Sequence, residues 1–134
     1  MIMLSNVLPS QYKKESWLYV FNSSKFKFVS SRWTGKWLIF VPVGQVDKAW
    51  QVIKENTESN QLGTCAKVAT ALDSKYDKRV ICVYNNNYKN VQEVNSIRQK
   101  LAELGFDWPI CYKTDMSTLF NKQGGHKSHL YCNK

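Results

Sequence analysis

Apolar and polar positions alternate along this chain in a pattern that predicts strands first and helices second. Residues 17–21 (WLYVF), a polar turn at 22–24, and residues 25–29 (KFKFV) read as strand, turn and strand. In the second piece Phe26 and Phe28 alternate with Lys25 and Lys27, the signature of a half-buried strand. Thr34-Gly35 reads as a turn, and residues 36–42 (KWLIFVP) as a strongly apolar strand closed by its proline. Asp47 predicts an N-cap for a helix running to about residue 59, with Val46, Ala49, Trp50 and Ile53 on one stripe.

Beyond Gly63, residues 64–70 (TCAKVAT) read as a strand, and residues 79–84 (RVICVY) as the clearest buried strand of the chain. The second helix carries stronger signals. Asn90, followed three positions on by Glu93, makes an N-terminal capping box; Val91, Val94, Ile97, Leu101 and Leu104 form the stripe, and Gly105 stops it. Residues 109–113 (PICYK) predict a last strand. The order β-β-β-α-β-β-α-β points to an α+β domain: a curved, mostly antiparallel sheet with two main helices packed on one face. Such a sheet leaves its other face for a ligand or partner. One domain accounts for all 134 residues, with an ordered core over about 15–120 and a polar tail over 121–134.

Charge changes the picture more than composition does. Nineteen Lys and Arg against ten Asp and Glu leave +9. Residues 1–67 hold nine basic and four acidic side chains and residues 68–134 ten and six, so the excess is not one basic arm. Acids are absent from 16–46 and 116–134, which form one positive region if the chain ends lie close together. A positive region of this kind attracts phosphate-bearing partners, although many small soluble proteins are simply basic. The four cysteines include no C-x-x-C pair, and three sit in apolar runs, where Cys behaves as a small hydrophobe. The amino-terminal stretch lacks a basic segment ahead of a long apolar one, and no apolar run approaches the ~20 residues of a membrane helix. Reduced thiols, a cytoplasmic setting and no membrane partner are therefore expected.

The candidate chemistry lies in polar side chains attached to apolar strands. Cys65-x-Lys67, Cys82-x-Tyr84 and Cys111-x-Lys113 each place two residues on one strand face, so alignment in register would bring Lys67, Tyr84 and Lys113 together. Lys36 opens a strand nearby in the pattern. Ammonium groups so gathered require an anion, whereas strand-end lysines otherwise reach out to water. Trp33 lies in a polar turn beside Arg32 and Lys36, a combination suited to stacking on a base while cations hold phosphate, or to covering the end of the core. Trp37 and Trp50 read as core, and Trp108 is open to either reading. Asp115, beside Lys113, joins the set as a ligand contact or base, or else caps a following helix. His126, His129 and Cys132 have metal-like spacing, but a structural zinc needs a fourth ligand, and a flexible tail explains them as well. No metal or cofactor is expected.

The series Trp33-Thr34-Gly35-Lys36-Trp37-Leu38-Ile39-Phe40, Asp47-Lys48-Ala49-Trp50, Leu62-Gly63-Thr64-Cys65-Ala66-Lys67-Val68, Val80-Ile81-Cys82-Val83-Tyr84 and Ile110-Cys111-Tyr112-Lys113-Thr114-Asp115 resembles the basophilic-leukaemia-expressed protein family. That resemblance, covering roughly 15–120, implies the fold of the messenger-RNA cap-binding translation initiation factor. The cap factor clamps a methylated guanine between two Trp rings and holds its phosphates with basic side chains. This chain departs from its pattern in having no Trp-Glu step in the middle. Known catalytic fingerprints (G-x-S-x-G, a P-loop, a Rossmann glycine set, H-E-x-x-H) are absent. The leading expectation is a non-catalytic module for a nucleotide, RNA or another phosphorylated ligand, with Arg32, Trp33, Lys36, Lys67, Tyr84, Lys113 and Asp115 as ligand-binding residues. Two other readings remain open: a small enzyme on a phosphorylated substrate with Lys67 or Lys113 as base, and a basic adaptor for an acidic protein. Ligand identity and oligomeric state are not legible.

Overall fold

The computed structural model describes residues 7–22, 31–73, 77–115 and 131–132. Among the described residues six strands form one sheet: β1 (Trp17–Phe21), β2 (Gly35–Pro42), β3 (Cys65–Ala69), β4 (Lys78–Asn85), β5 (Cys111–Thr114) and β6 (Tyr131–Cys132). Their spatial order is β1-β3-β4-β2-β5-β6, and each of these neighbouring pairs is antiparallel. Helices α1 (Val43–Glu58) and α2 (Val91–Glu103) follow β2 and β4. The α+β expectation holds. The strand expected at 25–29 lies outside the described residues.

Strand periodicity decides which side chains enter the core. Leu18 and Val20, Ala66 and Val68, Ile81 and Val83, Trp37, Ile39 and Val41, and Tyr112 all point to the helix side. They meet Val46, Ala49, Trp50 and Ile53 of α1, and Val94, Ile97 and Leu101 of α2. Trp37 and Trp50 are core, as their spacing predicted. The Trp37 indole also donates to the Val94 carbonyl at 3.0 Å, which fixes α2 against the sheet. The α2 cap is as predicted: the Asn90 side chain accepts from the Glu93 N–H at 3.2 Å. Gly105 follows with φ +106°, a left-handed stop that favours glycine.

The start of α1 differs from its expectation. The helix begins at Val43, directly after Pro42, and not at Asp47. Pro42 supplies an extended N-cap without a side-chain bond, so strand passes to helix with no loop between. Asp47, one turn in, instead accepts from the Ser10 N–H at 2.9 Å, tying the amino-terminal segment to the helix. A second correction concerns the thiols. Cys65 and Cys82 are free, but Cys111 is disulfide-bonded. On β6, Cys132 lies opposite Cys111 in the backbone register.

Candidate functional site

Antiparallel register converts the parity of the sequence into rows across the face opposite the helices. One row runs Phe21, Cys65, Tyr84, Lys36, Lys113 from β1 to β5. The next runs Tyr19, Lys67, Cys82, Leu38, Cys111. Trp17 opposite Ala69, and Val80 opposite Phe40, occupy the end beyond them. The first row borders what we call the near end of the sheet, where β2 begins and β4 ends; Trp17 and Phe40 mark the far end. Lys67, Tyr84 and Lys113 therefore share a face, in line with the parity of their spacing, and register adds Lys36 to them.

Their environments differ. Lys36 does not reach out to water: it is 6% exposed, and its ammonium donates to Asp115 at 2.9 Å. Asp115 is thus the anion that a buried ammonium demands. Lys67 lies half-buried with its Nζ 4.0 Å from the Trp17 ring centroid and 5.8 Å from that of Tyr84. Lys36 approaches the same Tyr84 ring at 5.5 Å. Two cations thus flank one buried aromatic. Burial lowers the Lys67 pKa from the ordinary lysine value, and the positive charge of Lys36 lowers it further. Burial likewise raises Tyr84, and pushes Cys65 up to about 12 and Cys82 to about 11, so all three remain protonated at neutral pH.

A second cluster sits at the near end, on the loops flanking these strands. Trp33 is 37% exposed and meets the Tyr88 ring at 5.9 Å with a 30° tilt. Lys89 lies 4.5 Å and Arg32 5.0 Å from its centroid. Trp33 is therefore not a core residue. The turn that presents it is held by several bonds: Ser31 N–H to Thr34 Oγ1 at 2.9 Å, Thr34 N–H to the Ser31 carbonyl at 3.1 Å, and Trp33 N–H to Ser31 Oγ at 3.2 Å. The Tyr88 N–H donates to the Trp33 carbonyl at 2.7 Å, and the Asp115 N–H to the Thr34 carbonyl at 2.9 Å. Beneath, the Tyr112 hydroxyl bonds Asn85 Oδ1, and the Asn85 amide donates to the Asn87 carbonyl at 2.9 Å. A buried polar chain thus positions the loop that carries Tyr88 and Lys89. Gly35 completes the device: a Cβ there would run into the Tyr112 hydroxyl.

Sequence reasoning missed Tyr88, Lys89 and Trp17. Tyr88-Lys89 repeats the signature that singled out Arg32-Trp33, an aromatic beside a cation in a polar turn, and the Asn85–Asn87 run hid it. Trp17 read as an ordinary strand residue because its cation arrives from β3. Asp115 falls in the last described turn as an ion-pair partner, and the helix it was expected to cap lies at residues outside the description, as do His126 and His129. Among the described residues no helix is long and apolar enough to cross a membrane, and no cluster of three His, Cys, Asp or Glu forms.

The fold has a solved counterpart. The structure of Ascaris suum eIF4E-3 with an m2,2,7G cap superposes with a TM-score of 0.51 at 19% identity, over 74% of this chain. This chain spans 57% of that one. The likeness is one of fold. Sequence carries the relationship that is closer: the model of the basophilic leukemia-expressed protein Bles03 family matches residues 29–121, from the approach to Trp33 to beyond Asp115, and the chain belongs to that family.

Proposed function

We propose that this protein is a non-catalytic module that binds a nucleotide or RNA at the near end of the open face. A base stacks on the Trp33–Tyr88 pair, and Arg32, Lys89, Lys67 and Lys113 receive phosphate. The observation that carries this reading is the juxtaposition of an exposed, cation-flanked Trp33, resting on the partly buried Tyr88, with a lysine-bearing sheet row at the same sheet end. Stacking and phosphate neutralisation are the two interactions that single-strand recognition needs. The solved neighbour holds an m2,2,7G cap, which agrees with a nucleotide ligand on this fold.

Catalysis fits the geometry less well. Asp115 is committed to Lys36, and the cysteine and tyrosine hydrogens beside Lys67 are held on by burial. Calorimetric titration of the protein with a mixed-sequence RNA tetranucleotide and with nucleoside triphosphates tests the reading. It predicts saturable binding near one site per chain, with every nucleotide recovered unchanged by chromatography. Hydrolysis or transfer during the titration overturns it in favour of an enzyme. Binding to a polyglutamate peptide but to no nucleotide overturns it in favour of an acidic-protein adaptor.

A further inference from the structure

The far end of the open face carries features that a mononucleotide site does not use. A cavity of about 640 Å³ is lined by Ser16, Trp17, Phe40, Ala69, Lys78 and Val80, among others. A second, of about 330 Å³, is lined by Leu38, Phe40, Lys78, Trp108 and Cys111. The two adjoin at Phe40 and Lys78, which line both. The larger falls in the range of cavities that hold small organic ligands, about 300–1,000 Å³. Phe40 is 53% exposed where the two adjoin, and Trp108 lines the smaller, its carbonyl held by Arg98 at 3.0 Å. Phe40 lies beside Trp17, Val80 and Leu38 in the lining of these cavities, and a contiguous apolar patch on a sheet face marks a contact surface.

Cations accompany the aromatics throughout. Lys89 and Arg32 flank Trp33; Lys36 and Lys67 flank Tyr84; Lys67 covers Trp17; Lys78 adjoins Phe40. Among the described residues, Asp77 lines the larger cavity, Glu15 lies close enough to Tyr19 to act on it, and Asp115 is paired with Lys36. From Gly35 to Phe40 the strand rises about 17 Å, longer than one base and its phosphate require. It suits the run of about four or more nucleotides that sheet-borne single-strand binders engage.

Resting on the nucleotide reading, we infer that the ligand is a single-stranded RNA segment which crosses the open face, with one base at Trp33–Tyr88 and a later base in the Trp17–Phe40–Lys78 cavity. Lys67 sits between them, placed to meet the connecting phosphates.

The test is a fluorescence-anisotropy competition series with UMP, uridylate dinucleotide and uridylate tetranucleotide, on the native chain and on Phe40→Ala. The tetranucleotide should bind at least roughly ten-fold more tightly than UMP. Phe40→Ala should weaken the tetranucleotide by roughly five- to a hundred-fold, leaving UMP unchanged. The side chain is exposed, so the melting temperature reports that the variant folds. Equal affinity for UMP and the tetranucleotide, or indifference of the tetranucleotide to Phe40→Ala, overturns the track while leaving the near-end site intact. Failure of every nucleotide to bind removes the nucleotide reading itself. A dimer by sedimentation that Phe40→Ala dissolves would assign the cavity to a second copy and overturn the inference.

Discussion

Trp33 carries two readings, a stacking platform and a cover over the end of the core, which one pair of measurements separates. A Trp packed into a core costs about 3–5 kcal/mol when cut to Ala; Trp33 is 37% exposed and leans on Tyr88 alone among the described rings. Trp33→Ala should lower the melting temperature little while weakening a nucleotide roughly five- to a hundred-fold. Trp33→Phe should restore part of that loss, and paired melts and titrations check both. Lys67 makes a pH-dependent prediction. Its pKa is lowered in the folded protein, so the unfolded chain binds the proton more readily. Folding stability carried by this group therefore rises as pH climbs from the lowered value toward the ordinary one, and Lys67→Met should raise the melting temperature at neutral pH. A bound phosphate favours the charged lysine. Affinity should then fall as pH rises through the lowered pKa, with proton uptake on binding visible by calorimetry in buffers of different ionisation enthalpy. Lys36 behaves differently because Asp115 neutralises it. Asp115→Asn should strengthen phosphate binding at some cost in stability, since it leaves the 6%-exposed Lys36 without that carboxylate.

At the scale of elements, the sheet does the positioning. Parity paired residues within β3, β4 and β5, because side chains alternate with period two and no insertion intervenes in the strands described, while Lys36 of β2 joined them only through register. Register completes the argument, and register is not written locally: it depends on Gly35, on the Tyr112–Asn85 bond, and on which strands become neighbours. That is why Lys67, Tyr84 and Lys113 were legible as a set, while Trp17 and Tyr88 were not. The start of α1 was misread for a related reason. Asp47 resembles a cap in any local window, and only the Ser10 contact shows that its side chain is engaged elsewhere. Tyr112→Phe tests the element-level account. It keeps the ring that packs edge-on to Trp37 at 5.3 Å but removes the hydroxyl from Asn85. We expect a loss of about 1–3 kcal/mol from the unsatisfied buried amide oxygen, and a measurable fall in nucleotide affinity as the loop carrying Tyr88 loosens. Chemical denaturation and titration of the same variant measure both.

For the whole molecule, a net charge of +9 makes some polyanion binding inevitable at low salt, so affinity alone does not distinguish a site from a diffuse field. Salt dependence separates them by residue. Replacing Lys67 or Lys113 with Ala should reduce the log–log salt slope by about one per lost phosphate contact, whereas Lys48→Ala or Lys100→Ala on the helices should leave it unchanged. The family match and the shared fold account for the architecture, and the proposed function turns on the location of the aromatic pair. Observation of the tryptophan indole N–H resonances during titration with an RNA tetranucleotide tests that location most directly. Trp37 is an internal control, since its indole N–H is buried and bonded to the Val94 carbonyl at 3.0 Å. The account predicts a saturable shift of the Trp33 resonance, assigned with Trp33→Phe, while Trp37 stays in place. A Trp33 resonance that does not move as the tetranucleotide saturates the protein would contradict it.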